Sequence, residues 1–219
     1  MVPAIGAVCT HRLLGRDERR TSLALAYLGG FCLLFTASYA GSTVTVGGVH
    51  IDTYTRVFDG LAAIVIVVAV ATITLVPFVY AVMNGGPLLS FTIALVPIGL
   101  AELVSWRYVL GLDGAIALTT GAAASAFALY VSEVRAAGTF QPWRERPIDA
   151  DALLVVTALV SLSTVTIARF VAFAPGHVTA WYAPFLALWL VPAVVVPGYW
   201  TAWLYRTVLE NRVRRGTGG

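Results

Sequence analysis

Lysine is missing from this 219-residue chain: all 14 of its basic residues are arginine. Without lysine there is no Schiff base to retinal or to any other carbonyl cofactor, which excludes a retinal-type light-driven pump. Arginine-only usage with abundant Ala, Val and Gly points to a GC-rich prokaryotic genome. Charge of either sign is scarce. Only 11% of residues are charged, against roughly 25% in a soluble domain. A chain this short with so few charges is unable to cover a water-facing surface. Cysteine is nearly absent too: there are two, Cys9 and Cys32. Cys32 falls inside the first apolar run, so the pair makes no disulfide framework, and Cys32 reads as a small buried apolar residue. A lipid on Cys9 is the lesser alternative. Met1 to Cys9 lacks a basic start and is too short for a signal peptide's apolar core, so no cleavable signal is expected.

Catalytic and ligand-binding signatures are also lacking. There is no HExxH, no CxxC pair and no GxSxG, and no glycine pair is followed by lysine as a phosphate loop requires. His50 and His177, with Asp52 and Asp59, have no metal-ligand spacing and read as solvated loop residues. No catalytic set, no metal site and no cofactor is expected.

What remains is apolar. Hydrophobic residues make up 59% of the chain and mean hydropathy is +0.85. They occur in runs of about 20, the length that spans the hydrocarbon core as a helix. The runs predict an all-α integral membrane bundle of six transmembrane helices at about 22–40, 57–83, 88–106, 112–131, 151–173 and 183–205. Residues 1–21 and 206–219 form terminal segments. Asn84-Gly85-Gly86-Pro87 is a strong turn signal. Putting the N-terminus in the cytoplasm places Arg12, Arg16, Arg19, Arg20, Arg135, Arg144, Arg146, Arg206, Arg212, Arg214 and Arg215 inside. Only Arg56, Arg107 and Arg169 are then outside. That partition satisfies the positive-inside rule, and both termini come out cytoplasmic. It also explains the net charge of +3 by topology, with no nucleic-acid partner. The expected setting is the cell membrane, crossed several times.

Three features suggest how the bundle works. In the fourth run Ala117, Gly121 and Ser125 recur every four residues, a spacing that lets helices approach closely. This helix should lie at the bundle centre or an oligomer seam. Pro77, Pro97, Pro192 and Pro197 interrupt the second, third and sixth runs and predict kinks. Leu-Val-Pro ends at Pro77, Pro97 and Pro192, a pattern an inverted repeat of three-helix halves would produce and chance also can. Charges within or beside spans are functional suspects: Glu102 first, then Asp59 and Arg169, with Glu102 pairing to Arg169 or Arg107. The competing reading puts them at headgroup depth in ordinary ion pairs. Phe140, Trp143, Arg144 and Arg146 suit the headgroup layer or a protein partner. Aromatic residues from Trp181 to Tyr205 fit an interfacial belt.

These features favour a small transporter or the membrane subunit of a transport complex. A scaffold binding other membrane or cytoplasmic subunits, through the fourth helix and the inner loop, is the alternative. An intramembrane enzyme acting on lipid through Glu102 is the third.

Overall fold

The computed structural model describes residues 11–43, 52–105 and 110–216, with side chains over 11–41, 60–104 and 110–209. His50, Trp106, Cys9 and the side chains of Asp52, Arg56, Asp59 and Arg107 lie outside those residues. Across the described residues the chain is all-helical, without strands. The elements are α1 (Glu18–Thr43), α2 (Asp52–Thr74), α3 (Val76–Asn84), α4 (Pro87–Ser105) and α5 (Leu112–Ala137). After them come α6 (Pro142–Glu145), α7 (Ala150–Phe173), α8 (Gly176–Tyr182), a 3-10 helix (Ala183–Trp189) and α9 (Leu190–Gly216).

Five helical stretches are long and apolar enough to cross a membrane, and α2 with α3 adds a sixth if the bent pair is one span. The chain is a multi-pass membrane protein. The bend is 48° and falls at Leu75, two residues before Pro77. Pro77 has no N–H to continue the helical ladder, and its ring crowds the preceding turn. Large apolar side chains such as Leu23, Val67, Val165 and Val194 stand exposed on the outside, where lipid is their natural solvent.

At the centre is α5. Within its apolar window 72% of residues are buried, against 11–39% in the other four long spans. Ala117, Gly121 and Ser125 are all buried. A Cβ on Gly121 would stand 3.0 Å from Phe91 Cδ2 and 3.2 Å from the Phe91 carbonyl, so the glycine is what brings α4 this near. In lipid, where burying apolar surface gains little, close packing of this kind holds helices together. The opposite side of α5 carries Ala126 and Leu129 against Leu153 and Val156 of α7 and Val196 and Tyr199 of α9. Towards the far end Ala115 meets Ile167, Phe170 and Tyr182. There the Tyr182 hydroxyl bonds Thr119 Oγ1 at 2.6 Å and accepts the Trp189 indole N–H at 3.0 Å.

The last span departs from a simple helix over 183–205. Its first turns are 3-10, and α-helix begins only at Leu190. Pro192 therefore sits in the first turn of α9, where a missing N–H is tolerated. Pro97 and Pro197 lie inside continuous helices.

Candidate functional site

The end of the bundle that holds the α3–α4 turn is built around one asparagine. Residues 11–17, ahead of α1, run as a strap across this turn. Asn84 Oδ1 accepts the backbone N–H of Arg16 at 3.1 Å and of Asp17 at 2.8 Å. Its amide donates to Tyr80 Oη at 2.7 Å and Thr21 Oγ1 at 2.9 Å, both in buried residues. Tyr80 in turn donates to the Leu14 carbonyl, and the Leu88 N–H donates to the Leu13 carbonyl at 2.9 Å. The strap passes so close that a Cβ on Gly86 would lie 1.9 Å from the Leu14 carbonyl oxygen. Only glycine fits there. Arg20 and Arg135 both donate to the Met83 carbonyl, at the C-terminal end of α3, where the helix dipole favours cations.

Beside the strap the bundle opens into a cavity of about 1050 Å³. Its walls are the strap, the Gly85–Pro87 turn, the last turns of α5 and the loop entering α7. Apolar side chains, Leu13, Leu129, Ile148 and Ala152 among them, form part of its lining. Charges of both signs surround it: Arg12, Arg16 and Arg146 against Glu133, Asp149 and Asp151, with His11 at the edge. Some of these have structural duties. Asp149 caps α7 by accepting the Ala152 N–H at 3.2 Å and lies 3.9 Å from Arg12. Arg146 donates to the Ala136 carbonyl at 3.0 Å, across the turn that Gly138 makes possible with its left-handed φ of 72°.

Arg16 and Glu133 are different. Burial lowers the Arg16 pKa from its ordinary value, while the Glu133 carboxylate pulls it the other way. The two charges therefore feel each other. Yet the ion pairs among the described residues are Arg12–Asp149 and Arg20–Asp17, the latter at 3.4 Å, and Arg16 is not joined to Glu133.

The residues singled out from sequence are dispersed. Glu102 is half-buried on α4 and Arg169 is exposed on α7, and no ion pair joins them. Arg169 borders a second, smaller cavity of about 490 Å³ at the opposite end, with Leu110, Thr166, Phe170 and Val178. Trp143 is half-buried and edge-on to Tyr199, with ring centroids 6.1 Å apart. Arg144 is exposed, and Arg146 borders the large cavity. Among the described residues no group of three His, Cys, Asp or Glu could hold a metal ion. The cavity offers charges for holding a ligand and no nucleophile paired with a base.

No family model matches this chain, and no curated protein or solved structure matches it either. Its function has to be argued from the geometry.

Arg16, Glu133 and Asp149 escaped the sequence reading because each falls in an ordinary polar inter-span segment, and Asp151 because it opens the fifth span, where an acid is usual. The available signal was Glu133, an acid one helical turn beyond an Ala-rich span. Asn84 gave no signal apart from its place in a turn.

Proposed function

We propose that the chain is a small transporter, or the membrane subunit of a transport complex, in the cell membrane. The large cavity is its solute-handling vestibule. The observation that carries this reading is the cavity's chemistry: a recess of about 1050 Å³ edged by charges of both signs, in a bundle otherwise short of charge. Arg12, Arg16, Arg146 and Asp151 are exposed, while Glu133 and Asp149 are half-buried, and exposed charges of this kind contribute little stability. A ligand site accounts for gathering them here. Glu102, half-buried on α4, is a further charged group on the proposed path.

In this reading α2 and α3 form one bent span, so the protein crosses six times with both termini in the cytoplasm. Two facts support it. The strap, the α3–α4 turn and the loop entering α7 meet at one end of the bundle, and two of these segments carry arginines, Arg12 and Arg16 in the strap and Arg144 and Arg146 before α7. The lipid bilayer is the constant partner, and any ATP drive comes from a separate subunit.

Reconstitution into proteoliposomes tests this. Flux of charged and zwitterionic solutes should exceed that of empty vesicles, and Glu102→Gln and Glu133→Gln should each lower it about tenfold while the protein still folds. Vesicles no more permeable than protein-free controls across the panel would defeat the reading. A membrane scaffold is the second reading, favoured by the exposed Phe140 and Arg144 on the loop before α7. It predicts a stoichiometric partner that is lost when Trp143 and Arg144 are replaced. The fourth span offers such a partner little surface, since α5 is enclosed by its neighbours.

A further inference from the structure

We infer that the large cavity binds a zwitterion: a ligand with a phosphate or carboxylate at one end and an ammonium a few bonds away. The inference rests on the proposed role of the cavity and names its ligand class.

Opposite charges that pair gain charge-assisted hydrogen bonds, and within the cavity Arg12 is paired with Asp149. Arg16 and Glu133 share the cavity and feel each other's field, but no ion pair joins them. Arg16 is exposed on the strap, and Glu133 is half-buried on α5, the most enclosed of the long spans. Each charge has a second of its own sign in the same cavity, Arg146 with Arg16 and Asp151 with Glu133.

A simple anion would gain from the arginines and be repelled by Glu133 and Asp151. A simple cation would meet the reverse. A ligand carrying both charges satisfies both sets at once, and no ion pair between Arg16 and Glu133 has first to be opened. The apolar part of the lining, with Leu13 and Ile148, admits the short carbon link between the ends. A free metabolite and the headgroup of a membrane lipid can both present this chemistry.

The test uses the full chain in nanodiscs, with melting temperature as the readout. Phosphoethanolamine added to nanodiscs of anionic phosphatidylglycerol should raise it, whereas inorganic phosphate or ethanolamine at the same concentration should not. In a second arm, phosphatidylethanolamine nanodiscs replace the phosphatidylglycerol ones. Stabilisation in this arm alone identifies a lipid headgroup, and stabilisation by the soluble probe identifies a solute. Arg16→Gln and Glu133→Gln should each weaken binding about tenfold or more, and Asp151→Asn at the exposed edge should weaken it less. Unliganded melting temperatures close to wild type show that the variants fold; if the first two do not, the Asp151→Asn comparison decides. Phosphate alone stabilising as well as phosphoethanolamine would overturn the inference, as would ethanolamine alone doing so. So would no shift in either arm, or binding unchanged in the variants. Binding without flux would sustain this inference and defeat transport; flux without zwitterion binding would do the opposite.

Discussion

The side-chain carbonyl of Asn84 accepts the backbone N–H of Asp17 at 2.8 Å, tying together residues 67 apart in sequence. Through it the segment ahead of the first helix becomes part of the wall of the large cavity.

Replacing Asn84 by Ala should therefore be costly. It leaves the Asp17 amide without its acceptor and takes one partner each from the Arg16 amide and the Tyr80 and Thr21 hydroxyls, which keep the backbone carbonyls of residues 84, 14 and 17. An unmatched buried polar group costs about 1–3 kcal/mol and each lost hydrogen bond about 1 kcal/mol, and local relaxation recovers part of that. A loss of about 2–4 kcal/mol is expected in unfolding from detergent micelles, with earlier proteolysis in the strap. Unchanged stability would mean that the strap is not held in this way.

Gly121→Leu should loosen the α4–α5 contact, because its Cβ would already press on Phe91 at 3.0 Å. Overpacking of this kind costs about 1–3 kcal/mol or more. Gly99→Leu, on the same α4 but with nothing within 4 Å, should be neutral. Equal melting temperatures for the two variants would contradict the packing described.

Hydroxyls inside the bundle should separate into two classes. Tyr182→Phe removes the partner of Thr119 and of the Trp189 indole and should cost about 1–2 kcal/mol, with a change in tryptophan emission. Ser125 and Ser163 are buried with no hydrogen-bond partner for their hydroxyls. Ser125→Ala and Ser163→Ala should be neutral or stabilising. A large loss at either serine would reveal a role for its hydroxyl.

Orientation is open to labelling once Cys9 and Cys32 are replaced by serine. Phe140 and Phe173 are 81% and 82% exposed and, in the six-span reading, lie on opposite sides of the membrane. A membrane-impermeant maleimide added to intact cells should label Phe173→Cys and spare Phe140→Cys. The reverse result would invert the topology.

How much of this was legible in the sequence depended on the range of the interactions involved. Apolar runs and the Asn84–Pro87 turn are local signals and placed the helices well, including the small-residue face of α5 around Gly121. The break at Leu75 was foreshadowed by Pro77. The 3-10 opening of the last span was not, since Ala183–Trp189 is as apolar as any helix and carries no distinct period. The cavity was hidden for a different reason. Arg16, Glu133 and Asp151 are far apart in the chain and come together only through packing, and the strap depends on Asn84, whose place in a turn concealed a second duty. Glu102 drew attention because a charge in an apolar run is a local anomaly; the charges around the large cavity are anomalous only in three dimensions.

The strap also imposes a timetable on biosynthesis. At roughly 5–20 residues per second, several seconds separate synthesis of Asp17 from that of Asn84, its fastening point. Until then the nascent chain's leading segment has nothing to close on. When the α3–α4 turn emerges on the same side of the membrane, the strap fastens and records that the intervening helices have inserted with the right parity. A chain that threads an odd number of times leaves Asn84 and Tyr80 across the bilayer from Arg16, Asp17 and Thr21. The fastening is thus open only to a chain whose first helices have brought the turn back to the strap's side of the membrane.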